Sequence, residues 1–381
     1  MITLYRIEKL IRMASVAYRT RQLGPAAESY RQALELAHRI ENSGLIDYCR
    51  SSIGTCCYQL GRLKEGLAAL TPLLQKGEST GDSSRTFGSM VCYIETAQRL
   101  PINLATIQTA YSQTERFLHD IGRTSWRHEL LVMLVRLHTL RGMYEEALST
   151  AQEAWVMHEV DQDSGYPGQV ADFHMDGLIT VCLRLRDLEL AKNYLGEWEW
   201  QPDVMPVNRE VRFSRSLADV FRFDGRVREA IDWARKAVYT AEATDYQETK
   251  FASYVSLIRA YLAAGQLSGA YEYLKRLLLM RRSESKHDLY NIYLLLGDYR
   301  LSCACAVAGL DPLDIDYQTD LARPAQVADA NSALRLLRRA GKLYDAAEKV
   351  GILIDRHLQC TIRRQVLAYR REQVALFERY C

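Results

Sequence analysis

Apolar residues recur along almost the whole chain at intervals of three and four. Leu131, Leu134 and Val135 form one such set, and Tyr254, Leu257, Ile258 and Tyr261 another. This spacing puts side chains on one face of an α-helix. A second pattern follows each of these segments. RGMYEEALSTAQEA starts at Arg141, DGRVREAIDWARKA at Asp224, AGQLSGAYEYLKRL at Ala264, LGRLKEGLAALTPL at Leu60 and AGKLYDAAEKVGIL at Ala340. Each holds a Gly, an apolar or aromatic residue two positions on, and a small residue three positions after that. Further apolar residues then follow at helical spacing. The Gly closes one helix and opens a tight turn, and the small residue sits where a second helix crosses the first. The unit is a helix–turn–helix hairpin.

The small position recurs at Ala26, Gly66, Ala105, Ala147, Ala191, Ala230, Ala270, Ser302 and Ala346, with intervals of 40, 39, 42, 44, 39, 40, 32 and 44. The pattern predicts about nine hairpins over residues 1–358, the third and eighth being degenerate. A final helix over 359–381, basic and with Val366, Leu367, Val374, Leu376 and Phe377 as its apolar residues, is predicted to cap the open end of the core. Seven of the eight prolines fall in predicted turns or connections. Pro72 lies inside a predicted helix and implies a kink or an early end there. The connections 160–169, 200–207 and 310–326 are long enough to act as hinges.

The motif resembles the tetratricopeptide repeat in a long variant, with a period near 40. It is similar to the repeats of kinesin light chain, mitotic-spindle adaptors, bacterial peptide-sensing regulators and sensor domains of ATP-dependent transcription activators. The resemblance implies an all-α, right-handed superhelical solenoid with a concave groove lined by the first helix of each pair. It also implies that the groove binds a partner.

Composition narrows the reading. Hydrophobic residues make up 48% and charged residues 25% of 381, with only 8 Pro, as in a folded, helix-rich chain. No stretch is apolar for the length a membrane span requires, and the charged N-terminus does not read as a secretory signal. A cytoplasmic protein without membrane contact is expected, its 9 cysteines reduced. The net charge of +2 is uneven: residues 335–381 carry 11 Lys/Arg against 5 Asp/Glu. Arg accounts for 39 of the 49 basic residues.

Catalytic and ligand motifs are absent. There is no phosphate loop, GxGxxG, GxSxG, HExxH or CxxC pair. Cys57 and Cys182 fall on packed helix faces and read as core residues. His158, Glu159, Asp161, Asp163, Asp172, His174 and Asp176 are a run of possible ligands, but Gly165 is out of register for a calcium loop and no Glu closes it. No enzyme activity, cofactor or metal is expected.

The groove carries the functional expectation. Reading between the packing positions of each first helix gives Tyr58, Arg136, Arg184, Arg212, Arg215, Arg222, Arg259 and Arg335 as the candidate binding residues, with Glu129, Phe173, His287 and Asn291 beside them. Arg outnumbers acid and Lys is missing, which suits an acidic peptide, a terminal carboxylate or a phosphate. The alternative is that these arginines pair with neighbouring acids such as Glu210 and Asp219. Asn331 and Arg335 do not complete a chaperone-type carboxylate clamp, because no later repeats follow them. The reading is a non-catalytic interaction adaptor or scaffold. The alternatives are a peptide-sensing regulator acting on a second protein, and an RNA-binding repeat protein using stacked rings and Arg. Self-association through Leu367, Val374 and Phe377 on the last helix is also open. On the adaptor reading, Arg215→Glu or Arg222→Glu abolishes saturable binding of an acidic peptide.

Overall fold

The three-and-four spacing of apolar residues is realised as α-helix throughout. A computed structural model describes residues 2–76, 82–123, 126–160, 169–198, 207–280, 285–308 and 329–379, which hold 17 α-helices and no strand. The chain divides into two compact units. The first, residues 1–137, 149–171 and 243–248, contains α1 (Ile2–Arg19), α2 (Leu23–Arg39), α3 (Ser43–Gln59), α4 (Leu63–Lys76), α5 (Ser83–Arg99) and α6 (Leu104–Asp120), with parts of α7 (Arg127–Arg141) and α8 (Tyr144–Val160). The second, residues 138–148, 172–242 and 249–381, contains most of α9 (Gln169–Arg184), then α10 (Leu188–Glu197), α11 (Val207–Phe223), α12 (Val227–Glu242), most of α13 (Gln247–Ala263), α14 (Leu267–Leu279), α15 (Lys286–Ala308), α16 (Ala330–Leu358) and α17 (Ile362–Glu378).

Six hairpins turn in the same way. The reversing residue has positive φ: Arg21, Gly61, Gly142, Arg186, Gly225 and Gly265. Its N–H and that of the next residue each reach back to the preceding helix. Gly61 N–H bonds Tyr58 O at 3.0 Å, and Arg62 N–H bonds Cys57 O at 2.8 Å. The pair satisfies carbonyls that the helix end would otherwise leave open. Glycine suits this conformation because it has no Cβ to clash. Arg21 and Arg186 take it at φ 64° without that freedom.

The crossing position falls where the sequence places it in these six hairpins. Ala26, Ala147, Ala191, Ala230 and Ala270 are 0% exposed and Gly66 is buried. A Cβ on Gly66 would lie 3.3 Å from both Cys57 Cβ and Gly54 O, so little beyond glycine fits. Cys49, Cys56, Cys57 and Cys182 are buried as core residues, and burial pushes each thiol up to about 12.

Three parts of the expected pattern differ. In the third hairpin, Asn103 caps α6, Ala105 is exposed and Ile107 is buried in its place. The eighth and ninth hairpins are instead two unbroken helices, α15 and α16, packed on each other. Gly297 is no turn: a Cβ there would be 2.3 Å from Tyr344 Cε1, so the missing side chain is the slot that admits the Tyr344 ring. Gly341 is also helical. Ala333, Leu337, Ala340, Tyr344, Ala347, Gly351, Ile354 and Leu358 of α16 are buried at alternating intervals of four and three, and this stripe carries the helix through the glycine. Finally, α4 continues past Pro72 to Lys76. The three long connections lie outside the described residues.

The last helix packs on α16. Its buried stripe is Arg363, Leu367, Arg370, Val374 and Phe377. The apolar members face inward, so they offer no surface for self-association. Arg370 donates from Nε to Asp298 Oδ1 of α15 at 2.8 Å and from Nη2 to Oδ2 at 3.2 Å, and Tyr344 Oη donates to the same Oδ1 at 2.9 Å. Arg363 Nη1 donates to Asp355 Oδ1 of α16 at 2.9 Å. All four charged groups are buried, where each depends on its partner.

The two misplaced glycines make a paired prediction. Gly297→Ala overpacks against Tyr344 and should destabilise by about 1–3 kcal/mol. Gly341→Ala, with nothing within 4 Å of its new Cβ, should be neutral or stabilise by about 0.5–1 kcal/mol through helix propensity. Urea denaturation midpoints of the two variants check both signs.

Candidate functional site

Two clusters gather the residues of interest, one in each unit. In the first unit, successive first helices contribute one polar side chain each. Tyr58 ends α3, Arg99 ends α5, and Arg136 lies on α7. They converge on the carboxylate of Glu248, which belongs to the same unit. Tyr58 Oη donates to Glu248 Oε2, Arg99 Nη1 lies 3.1 Å from Oε2, and Arg136 Nη2 lies 3.2 Å from Oε1. Arg136 also pairs with Glu95, one helical turn before Arg99. The Arg99 guanidinium stands 5.8 Å from the Tyr58 ring centre. Burial, followed by the Glu248 charge, raises the Tyr58 hydroxyl above its ordinary value, so it stays a donor. The arrangement is a carboxylate receptor with two guanidinium groups and one phenol.

The second unit holds a cavity of about 350 Å³. The ends of α7, α9 and α11, the C-terminal half of α13 and the first turns of α15 form its walls, and α17 closes one side. Arg184, Arg186 and Arg259 supply positive charge, and no Asp or Glu lines it. Tyr144, Phe223, Tyr290 and Tyr369 contribute rings. Arg363 and Arg370 also face it, already paired with Asp355 and Asp298. Two contacts fix the start of the α17 wall. Arg141 Nε donates to Leu358 O at 3.1 Å, and Gly142, at φ 78°, lies so close that a Cβ there would be 2.9 Å from Ile362.

The candidate residues therefore separate. Tyr58 and Arg136 join the carboxylate receptor, and Arg184 and Arg259 join the cavity. Arg212 and Arg215 are half-buried on α11. Arg222 is 4% exposed, with Nε 3.7 Å from Asp219 Oδ1 and its guanidinium 4.5 Å from the Phe223 ring centre. An Arg222→Glu change would bury a carboxylate in that place and disturb folding, so it cannot diagnose binding. Arg335 is exposed on the second turn of α16 and donates to Ser332 Oγ at 2.7 Å, in neither cluster. Three arginines of the basic tail are engaged: Arg363 and Arg370 are buried in ion pairs, and Arg371 bridges Asp345 and Glu348 at 2.7 and 2.8 Å.

Sequence reasoning missed Arg99, Glu95 and Glu248 in the first cluster and Arg186 and Tyr290 in the second. Glu248 is 190 positions from Tyr58, and no local pattern joins them. Arg186 hides in a turn. Most of the acidic and histidine run after His158 lies outside the described residues. Of its members, Asp176 accepts a 2.9 Å bond from Ser216 Oγ. Among the described residues no cluster of His, Cys, Asp and Glu is arranged to hold a metal, and no helix is long and apolar enough to cross a membrane.

No family model and no curated protein matches the chain. Solved structures do. A Rap protein complexed with competence and sporulation factor is 13% identical, with 98% of each chain covered and a TM-score of 0.55. A tetratricopeptide repeat protein from Parabacteroides merdae is 13% identical over 96% of this chain and 99% of its own, at a TM-score of 0.37. Human IFIT1, in a dimer with PPP-AAAA, is 15% identical over 96% of this chain and 81% of its own, at 0.45. The likeness to the Rap structure is one of fold: an all-α array of packed helices.

Glu129, expected in the groove, lies in the first turn of α7 with Oε1 buried and no hydrogen-bond partner. Burial pushes its carboxyl up to about 7, from an ordinary 4.5. The folded protein thus holds a proton that the unfolded chain releases, and stability falls as pH rises from about 4.5 to about 7. Glu129→Gln should remove that slope and stabilise the protein at pH 8 by on the order of 1–3 kcal/mol. Urea titrations at several pH values check it.

Proposed function

We propose that the protein is a non-catalytic interaction scaffold whose first-helix faces receive an acidic segment of a partner protein. One observation carries this reading. Three successive first helices of the first unit place Tyr58, Arg99 and Arg136 around a single carboxylate. A solenoid presents such faces in series, and charge-assisted bonds from Arg to carboxylate give both strength and orientation. The Rap structure, which has the same type of fold, was solved with competence and sporulation factor bound, and this supports a ligand-receiving role for the scaffold. Glu248 now fills the receptor. An incoming acidic side chain would take its place and release the 243–248 segment from these three groups.

The test is fluorescence anisotropy with a labelled oligo-glutamate peptide on the full chain. Glu248→Gln, which weakens the internal competitor, should bind about tenfold more tightly, equivalent to about 1.4 kcal/mol. The Arg99→Ala, Arg136→Ala double variant should lose binding, and Arg335→Ala should bind as wild type. Undiminished affinity in the double variant would sink the proposal. Capture of RNA in preference to the peptide would favour the nucleic-acid alternative.

A further inference from the structure

We propose that the cavity of the second unit binds a small organic acid, a monocarboxylate with an apolar body. The site is separate from the carboxylate receptor and does not rest on the scaffold reading.

The first argument is an unmet hydrogen bond. Tyr290, near the start of α15, is 6% exposed and lines the cavity, and its hydroxyl is buried with no partner. Buried hydroxyl groups are ordinarily paired. Burial pushes this one up to about 12 from an ordinary 10.0, so it keeps its proton at neutral pH. The partner it lacks is an acceptor oxygen.

The second argument is the set of polar groups beside it. Asn291, the next residue of α15, and Arg184, exposed at the end of α9, line the same cavity. Neither forms a hydrogen bond or ion pair among the described residues. Arg186 and Arg259 also line the cavity, but both already have interaction partners, and the site does not depend on them. Arg363 and Arg370 are paired with Asp355 and Asp298. Tyr290, Asn291 and Arg184 thus offer a phenol, an amide N–H₂ and a guanidinium, and no Asp or Glu lines the cavity to oppose an anion. A carboxylate, with one negative charge and two acceptor oxygens, is the match for one cation and two neutral donors. A phosphate dianion would bring a second charge that Arg184 alone does not meet.

The third argument is the wall. Helix α17 carries two stripes. Arg363, Leu367 and Arg370 are buried, whereas Ile362, Val366 and Tyr369 are half-buried and line the cavity. Their intervals of four and three place them on one helix face. Leu140 and Tyr144, also half-buried, line it from the two sides of the α7–α8 turn. Apolar surface left partly wet inside a concavity is what the apolar body of a ligand covers. About 350 Å³ is at the small end of ligand sites, which suits a compact molecule better than an extended chain. The wall mixes aliphatic and aromatic side chains, so it accepts a ring or a short alkyl chain.

Isothermal titration on the full chain tests the assignment, with hydrocinnamate and octanoate as probes of the two body shapes. Acetate, the head group alone, and the neutral amides of both probes serve as comparisons. At least one acid should bind with micromolar affinity, its amide at least about tenfold more weakly, and acetate not measurably. Tyr290→Phe removes only an unpaired hydroxyl, and Arg184 is exposed, so both variants should melt as wild type does. Tyr290→Phe should weaken the acid about five- to tenfold. Arg184→Gln should weaken it by more than about tenfold and leave the affinity for the amide unchanged. The Arg99→Ala, Arg136→Ala variant should bind the acid as wild type, so failure here and failure of the scaffold reading are told apart. The proposal is overturned by no binding of either acid at millimolar concentration, by equal affinity for acid and amide, or by unchanged affinity in the Tyr290 and Arg184 variants.

Discussion

A helix that ends must satisfy its last carbonyls, and in this chain the answer to that need sets the architecture. At six hairpin turns one residue enters the left-handed region, and two N–H groups fold back onto the preceding helix. The reversal fixes where the second helix starts. It brings a residue with no bulk to the point of closest approach, where 0% exposure leaves no room for a larger side chain. Spacing, crossing and packing of the hairpins all follow from that one closure. Two of the six use Arg where glycine would be more comfortable, so the backbone geometry outweighs the residue preference.

Toward the C-terminus a different constraint takes over. Helices α15, α16 and α17 are held by side-chain stripes rather than by repeated turns. Arginines occupy two positions of the α17 stripe that would ordinarily be apolar, and buried acids on α15 and α16 meet them. Such pairs contribute direction more than net stability. A greasy α17 stripe would pack in several registers, whereas Arg363 and Arg370 each have one carboxylate to find. The same two arginines then form part of the cavity wall without adding to its charge.

What the sequence made legible was whatever is local. A glycine followed by a small residue five positions later reads as a hairpin because turn and crossing lie close together along the chain. Gly297 and Gly341 carry the same signature and mean something else. Gly297 yields space to Tyr344 of a neighbouring helix, and nothing around Gly297 announces it. At Gly341 the alternating four-and-three stripe from Ala333 to Leu358 runs through unbroken, and it was the stronger signal of the two. The arginines were found by their helical face, which needs only register. Their partners were not: Glu248 meets Tyr58 and Arg136, Asp298 meets Arg370, and each pairing joins distant parts of the chain. The charges of Arg363, Arg370 and Arg371 likewise looked available until their acids were in view.

The long reach of these ion pairs bears on the order in which the protein can be made. Asp298 precedes Arg370 by 72 positions. At ordinary elongation rates it would wait roughly 4–14 s on the ribosome for its counter-ion. Arg136 waits longer for Glu248, 112 positions behind it. Neither unit can complete its ionic interior from its own leading segment. The nascent N-terminal hairpins hold their shape through their turns, while final closure is deferred to residues that emerge late. A chain cut short before Arg363 would keep its hairpins but leave Asp298 and Asp355 without the cations that make their burial tolerable.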